Sequence, residues 1–328
     1  MTDRAPAEIV GSLGEGFMDS RCLHVAVTLG LADAVADDPR ELVDVAREVG
    51  ADAGGLARIV RHLVSLGVFQ SRAGRIWHND ASRLLRTDDP GGFAPLIRMM
   101  ALPVIWSSFG SLEEAVRTGS PGTTFVDPDG FFAYLDAHPD ESEVYDQGMT
   151  AMTVRRIDRM VPHYDFTPYG VIADIGGGRG HLLRAVLERT PAARGVLVDR
   201  AQVVIDLPTD PRIAVHSGNF LTDALPQADC YLLSNVIHDW SDQDAVSILT
   251  AARAAASSSS TLLLFEFVVP EDASEFDASD IDVSMLALVG GRERTLAEYT
   301  ELLDQAGWLV RRTVPTPVQT IIEAVPSS

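Results

Sequence analysis

The stretch Val171-Ile-Ala-Asp-Ile-Gly-Gly-Gly-Arg-Gly-His-Leu-Leu183 determines the fold of this chain. Its apolar first part predicts a buried strand over Val171–Ile175, and the residues after the glycines predict a helix over His181–Arg189. Gly176 and Gly178 allow backbone conformations that other residues avoid, so a ligand can approach the main chain. The N–H groups at the start of the helix can donate hydrogen bonds to that ligand. The stretch therefore predicts a strand–turn–helix unit that binds a small molecule.

Around this unit, apolar strands alternate with helices, which is typical of an α/β domain with a mostly parallel sheet. The other predicted strands, which bring the sheet to seven, are Gly195–Asp199, Ile213–His216, Cys230–Leu233, Thr261–Val268, Val310–Val314 and Thr320–Ala324. Further helices are predicted at Ser241–Ala256, Ile281–Leu288 and Leu296–Ala306. The polar segment Glu271–Asp280 is predicted to be a loop.

The first ninety residues predict a winged-helix-like module. Three helices and then a hairpin of two short strands are expected at Cys22–Ala36, Glu41–Val49, Gly54–Leu66, Gly67–Gln70 and Gly74–Trp77. Such a module can bind DNA, but the third helix offers only Arg58 and Arg61 to phosphate groups. A packing or dimerisation role is therefore the favoured interpretation.

Composition and charge exclude several classes of partner. The chain has 328 residues and a net charge of -21, so it is repelled by phosphate backbones and no nucleic acid is expected as a partner. Its longest apolar stretches, such as Thr261–Val269, are too short to span a membrane. Cys22 and Cys230 cannot form a disulfide framework or a zinc site. Together with the lack of a secretory signal, these features predict a cytoplasmic enzyme.

Several residues predict the identity of the ligand. Asp199 ends the second strand about twenty residues after the glycines, where it can accept hydrogen bonds from ribose hydroxyls. Asp174 would repel a pyrophosphate but attract a cationic nucleoside, and a dinucleotide fingerprint would need glycine in place of His181. Asn219 and Phe220 follow the third strand and are predicted to contact an adenine. The pattern favours S-adenosylmethionine over NAD.

A histidine near this ligand indicates proton transfer. His238 follows the fourth strand and so lies at the sheet edge where ligands bind in open α/β folds. Glu266, in the fifth strand, and Glu293, before a helix, can share that edge, and a histidine held by carboxylates is suited to accept a proton. A phenol, with a pKa of about 10, needs such a base to become a good nucleophile. We therefore predict methylation of a hydroxyl group.

These motifs resemble those of the plant and bacterial small-molecule O-methyltransferases, in which a winged-helix-like dimerisation domain precedes a class I methyltransferase domain. The resemblance covers nearly the whole chain and is nearest to bacterial enzymes that tailor polyketides and other antibiotics. It rests on Asp174–Gly180, Gly218-Asn-Phe220, His238–Asp242, Glu266, Ile281–Leu286 and Gly290–Thr295.

The resemblance implies a role for many of these residues. It implies that His238 is the base, that Glu266 and Glu293 are its partners, and that Ser234 joins the cofactor residues. It also implies that no metal takes part, that the enzyme is a homodimer, and that a small-molecule acceptor is bordered by Met149, Asn235, Asp239 and Met285. Within the methionine- and aromatic-rich residues 91–165, Met152 and Trp106 are further candidates for the acceptor pocket. The chain is thus divided into a dimerisation domain (1–90), a helical pocket segment (91–165) and a catalytic domain (166–328).

Two departures from the family pattern and three alternatives remain at this point. Asn219 stands where the family usually has aspartate, and Arg200-Ala-Gln follows the second strand in place of Leu-Pro. The same cofactor could serve N-methylation, or a hydroxylation, decarboxylation or pericyclic reaction without methyl transfer. The presence of His238 with both glutamates argues against the non-methylating reactions. The non-enzyme alternative is a winged-helix regulator that senses a ligand.

Overall fold

The computed structural model describes residues 5–89, 91–205, 207–272 and 276–327. It divides into two compact units, Met1–Pro103 and Val104–Ser328. Among its described residues, the first unit has helices at Pro6–Thr28, Leu31–Ala34, Leu42–Glu48, Ala53–Ser65, Asp80–Arg83 and Ala94–Met100. Its antiparallel sheet has the strand order Arg40–Glu41, Arg75–Trp77, Gln70–Arg72.

The first unit contains the expected helices and hairpin, with two corrections. The strand predicted over Gly67–Gln70 is wrong, because Gly67 and Phe69 have φ angles of +83° and +68°, outside the range of a strand, and the strand observed is Gln70–Arg72. The single helix predicted over Cys22–Ala36 is wrong, because the chain bends at Gly30, whose φ of +68° lies in the left-handed region. The helix Pro6–Thr28 therefore ends before this glycine and Leu31–Ala34 begins after it. Leu31, Leu63 and Ile76 are buried together in the core of this unit.

The second unit begins with helices and continues into the sheet. Its described helices are Pro103–Gly110, Leu112–Thr118, Phe131–Ala137, Pro139–Met160, His181–Arg189, Ala201–Val204, Asp242–Ala255, Ser279–Leu288 and Leu296–Gln305, with single 3-10 turns at Gly122–Phe125, Val161–His163 and Ile237–Asp239. Ser241 caps one helix by accepting a hydrogen bond from the backbone N–H of Asp244. Thr295 and Glu298 form a capping box at the start of the last helix.

The sheet has seven strands in the described residues: β1 (Val171–Ile175), β2 (Arg194–Asp199), β3 (Ile213–Ser217), β4 (Cys230–Ser234), β5 (Thr261–Glu266), β6 (Trp308–Pro315) and β7 (Thr320–Pro326). They lie in the order β6-β7-β5-β4-β1-β2-β3. β7 runs antiparallel to both of its neighbours, and the other pairs are parallel. This is the predicted mostly parallel sheet of a class I methyltransferase.

Both faces of the sheet are covered by apolar side chains. Leu262 and Leu264 of β5 lie in one core, and Leu263 and Phe265 lie in the other, because successive side chains of a strand point to opposite faces. All four are 0% exposed. A sheet buried on both faces leaves the ends of its strands as the place for a ligand.

The end of β5 differs from its prediction in a way that matters for the site. The predicted strand Thr261–Val268 is wrong at its end, because β5 stops at Glu266 and the short strand Val268–Val269 pairs with Arg294–Thr295 instead. Glu266 and Glu293 lie just before these two paired segments, so the pairing brings them close together.

Two further points concern the loop and the helices of the chain. Residues 273–275 of the predicted loop Glu271–Asp280 lie outside the described residues, and the helix Ser279–Leu288 begins two residues before its predicted start. Among the helices that the structure describes, none combines the length and apolar character needed to cross a membrane.

Candidate active site

A cavity of about 330 Å³ opens at the carboxyl ends of the parallel strands. The chain order of the strands reverses between β1 and β4, and ligands of open α/β sheets bind in the crevice that such a reversal leaves. The cavity is lined by the turn after β1, by the ends of β2, β3 and β4, and by the helices Phe131–Ala137 and Pro139–Met160.

The glycine turn forms one wall of the cavity. Gly176 and Gly178 have φ angles of +67° and +57°, which favour glycine. A Cβ atom on Gly176 would lie 2.9 Å from the side chain of Val236, whereas one on Gly178 would meet open space. Asp199, at the end of β2, accepts a hydrogen bond from the backbone N–H of Gly178 at 2.7 Å. The turn is therefore tied to the neighbouring strand and is open to a ligand at Gly178.

Asp174 gives the cavity a buried carboxyl group. The residue is 1% exposed, and its Oδ2 atom has no hydrogen-bond partner among the residues that the structure describes. Burial, followed by the negative charge of Asp199, raises the pKa of Asp174 to about 7. Bringing a positive charge into the cavity would favour ionisation of this carboxyl group.

The remaining predicted cofactor residues, Asn219, Phe220 and Ser234, also line the cavity. Phe220 packs edge-to-face on Trp240, with 5.7 Å between ring centroids, so the cavity has an aromatic side. An open glycine turn, two carboxylates and an aromatic surface suit the amino group, the sulfonium, the ribose and the adenine of S-adenosylmethionine. The residues present therefore fit this cofactor.

Several cavity residues were not predicted from the sequence. Phe132, Tyr145, Asp146, Arg200 and Trp240 line it as well. Burial raises the pKa of Asp146 to about 6. The helical spacing of Tyr145 and Asp146 from Met149 is the signal that could have identified two of them.

His238 lies in a buried cluster of carboxylates. Its Nδ1 atom is 2.7 Å from Glu293 Oε1 and 3.8 Å from Glu266 Oε2, and its Nε2 atom is 3.5 Å from Asp239 Oδ1. Glu266 also accepts the backbone N–H of Ile237 at 2.9 Å, which holds the turn that carries His238. The structure therefore brings the three predicted catalytic residues together.

The charges in this cluster act on one another. Burial alone lowers the pKa of His238, but the carboxylates of Glu266, Asp239 and Glu293 outweigh it and raise that pKa to about 10. Burial raises the pKa of Glu266 to about 7, although the positive charge of His238 opposes this. Burial likewise raises the pKa of Asp239 to about 6. The cluster is thus built to hold a proton on the imidazole.

His238, Glu266 and Glu293 are also the group of described residues that could surround a metal ion, since one ligand atom from each lies within 4.8 Å of the others. The separation of 2.7 Å between His238 and Glu293 is that of a direct hydrogen bond. Two ligands of one zinc ion, each about 2.1 Å from it in tetrahedral geometry, would lie farther apart. The geometry therefore favours proton transfer.

The predicted acceptor residues are divided between two places. Met149, Asn235 and Asp239 line the cavity. Met152, Met285 and Trp106 are not among its lining residues, and their contact with an acceptor stays a prediction. Met285 is buried at 9% exposure on the helix Ser279–Leu288.

Comparison with known proteins identifies the family. Residues 109–309 match the O-methyltransferase domain, and residues 12–88 match the O-methyltransferase dimerisation domain. The chain belongs to this O-methyltransferase family. It is an S-adenosylmethionine-dependent O-methyltransferase, and its dimerisation domain supports a homodimer.

Three known proteins illustrate the range of this family. The phenazine O-methyltransferase of Lysobacter antibioticus is 32% identical over 95% of this methyltransferase and 94% of its own length. An 8-amino-8-demethylriboflavin N,N-dimethyltransferase of Streptomyces davaonensis is 32% identical over 87% of this chain and 85% of its own. One solved structure is that of an O-methyltransferase from neocarzinostatin biosynthesis in complex with S-adenosyl-L-homocysteine and 1,4-dihydroxy-2-naphthoic acid. Its sequence is 31% identical to this chain, and its TM-score is 0.83. The match covers 94% of this chain and 96% of the other.

Proposed function

We propose that this enzyme methylates a hydroxyl group on a small aromatic acceptor of secondary metabolism, with His238 as the general base. The observation that carries the proposal is the hydrogen bond of 2.7 Å between His238 Nδ1 and Glu293 Oε1. Neither of these residues nor Glu266 is among those that line the cavity, but Asp239, whose Oδ1 lies 3.5 Å from His238 Nε2, does line it. Relatives named for phenazine and naphthoic acid substrates support an aromatic acceptor.

The roles of the residues follow from their positions. Glu293 accepts a hydrogen bond from the Nδ1–H group of His238. Nε2 is therefore the nitrogen that takes the proton of the acceptor hydroxyl. When bound, S-adenosylmethionine supplies an electrophilic methyl group to that oxygen. Glu266 and Glu293 stabilise the imidazolium that results, and their burial keeps water from screening the charges. Met149 and Asn235 border the acceptor on the cavity side.

The second candidate is methylation of nitrogen, as the name of the riboflavin-related relative indicates for that protein. A neutral amine already carries a lone pair, whereas a phenol at neutral pH must lose its proton to become a good nucleophile. The buried cluster of His238 with Glu266 and Glu293 therefore favours an oxygen acceptor. Identification of the methylated product by mass and by its loss of phenol acidity distinguishes the two.

The test is release of S-adenosylhomocysteine with a panel of phenols, in the presence of EDTA, by the natural enzyme and by His238→Ala. We expect release that EDTA does not diminish, and a turnover lowered by ~10²–10⁴-fold in the variant. Binding of S-adenosylhomocysteine, measured by calorimetry, should be nearly the same in both proteins. An unchanged rate in the variant would refute the assignment of the base, and inhibition by EDTA would indicate a metal.

A further inference from the structure

Two side-chain amides connect the core of the sheet to the cavity. Gln319, just before β7, is 3% exposed. Its amide nitrogen donates to the backbone carbonyl oxygen of Phe265 at 3.2 Å and to Oδ1 of Asn235 at 2.6 Å. Because a carbonyl oxygen can only accept, Phe265 determines which end of the Gln319 amide carries the N–H groups.

The orientation of Gln319 in turn determines that of Asn235. Its Oδ1 atom accepts the hydrogen bond from Gln319, so the two N–H groups on Nδ2 form the other end of the amide. Asn235 lines the cavity, and in the described part of the chain its Nδ2 is paired with no acceptor. The amide therefore offers hydrogen-bond donors to a molecule in the cavity.

The backbone holds this amide in place. Asn235 has a φ of +53°, in the left-handed region that asparagine tolerates better than most residues. Its backbone N–H donates to the carbonyl oxygen of Phe265 at 3.1 Å, so the same oxygen holds the backbone of Asn235 and the side-chain amide of Gln319. Asn235 comes three residues before His238, which places a fixed donor near the base.

We propose that Asn235 donates a hydrogen bond from Nδ2 to an oxygen or aromatic nitrogen of the acceptor, and that Gln319 is the positioning residue that orients this donor. The proposal rests on the proposed function. It defines the acceptor more narrowly, as a phenol that also carries a hydrogen-bond acceptor near the hydroxyl group. Phenols without such an atom would leave the amide unpaired and would bind more weakly.

The probes for this proposal are α-naphthol and its ring-nitrogen isosteres, the hydroxyquinolines. For the natural enzyme we expect the KM of the best hydroxyquinoline to be roughly five- to tenfold below that of α-naphthol. Asn235→Asp keeps the side-chain shape, the left-handed backbone and the hydrogen bond from Gln319, but it presents oxygen to the cavity. In this variant the KM of the hydroxyquinoline should no longer lie below that of α-naphthol. The kcat should change less than KM, and the affinity for S-adenosylhomocysteine should be unchanged.

Two more variants separate recognition from simple damage. Gln305→Glu makes the same change from amide to carboxylate at an exposed position of the last helix, outside the cavity, and should keep the preference for hydroxyquinolines. Gln319→Glu offers an acceptor in place of a donor, so it should turn the Asn235 amide around and abolish the preference. If Gln319→Glu does not fold, Asn235→Asp decides the matter alone.

The proposal is overturned if the natural enzyme does not prefer a hydroxyquinoline, if Asn235→Asp retains the preference, or if that variant weakens only cofactor binding. Failure to methylate any phenol at all would overturn the proposed function as well. Methylation of phenols without a preference would overturn the role of Asn235 and leave the proposed function standing.

Discussion

The two ring nitrogens of His238 have different surroundings. Nδ1 makes the hydrogen bond to Glu293, whereas Nε2 is near Asp239, which lines the cavity. The surrounding carboxylates raise the pKa of His238 to about 10, which is close to that of a phenol, about 10. The carboxylates therefore make His238 a stronger proton acceptor for a phenol than a free histidine is. At neutral pH the imidazole of His238 is protonated in most enzyme molecules. It must therefore lose this proton before it can accept one from the phenol.

The pH dependence of the rate tests whether the surrounding carboxylates raise the pKa of His238. We expect kcat/KM to rise with pH above neutrality, because the neutral, proton-accepting form of His238 fills as the pH approaches about 10. Glu293→Gln removes one negative charge, so the pKa of His238 should fall and the rise should move to lower pH. The measurement is release of S-adenosylhomocysteine from one phenol across this range.

Two controls belong to this comparison. Ionisation of the phenol itself contributes equally to both proteins, and Glu301→Gln removes a charge from an exposed position on the last helix and should not move the profile. Coinciding profiles for the natural enzyme and Glu293→Gln would mean that Glu293 does not set the proton affinity of the base.

At the scale of secondary-structure elements, Asp199 links two strands of the cofactor site. One of its carboxylate oxygens accepts the N–H of Gly178 in the turn after β1, and the other accepts the N–H of Arg200, both at 2.7 Å. We expect Asp199→Asn to weaken binding of S-adenosylhomocysteine by roughly tenfold or more, because it replaces a charged acceptor by a neutral amide. Calorimetry measures this affinity, with the exposed Glu188→Gln as the control. Equal affinity in Asp199→Asn and the natural enzyme would refute the role of the residue.

Elements buried on both faces were predictable from the sequence. β1 and the helix His181–Arg189 agree with their predictions at both ends, because a buried strand is a continuous apolar run that glycines terminate. The end of β5 was not predictable in this way. Phe267-Val-Val269 continues the apolar run, and only the pairing with Arg294–Thr295, from a distant part of the chain, separates it from β5.

The candidate site shows the same division between local and distant signals. Motifs next to strand ends identified Asp174, Asp199 and His238, because topology alone brings strand ends to one edge. Gln319 has no such motif, since its relevance depends on contacts with Asn235 and Phe265, which lie more than fifty residues away along the chain. Tyr145 lies one helical turn before Met149, and this spacing becomes a signal only once Met149 is known to face the cavity.

At the scale of the whole molecule, the first helix has an apolar surface that a monomer would leave in water. On Pro6–Thr28, the exposed apolar residues are Ile9, Val10, Leu13, Phe17 and Met18, with exposures between 43% and 77%. A contiguous exposed apolar patch of this kind indicates an interaction surface. It stands out here because the chain is strongly acidic, with a net charge of -21. Since Leu13 and Phe17 are four residues apart, they lie on one side of the helix. We infer that this helix contributes to the homodimer interface.

Charges placed on this surface should separate the protomers. We expect Leu13→Glu combined with Phe17→Glu to yield a monomer of 35.4 kDa, because burial of each apolar side chain contributes about 1.5–3 kcal/mol and a buried glutamate opposes association. Light scattering after size-exclusion chromatography gives the mass. Val116→Glu, at a position 72% exposed in the second unit, adds charge elsewhere and should leave the mass of a dimer. If the double variant remains dimeric, the protomers associate through another surface, and this apolar helix needs a different partner.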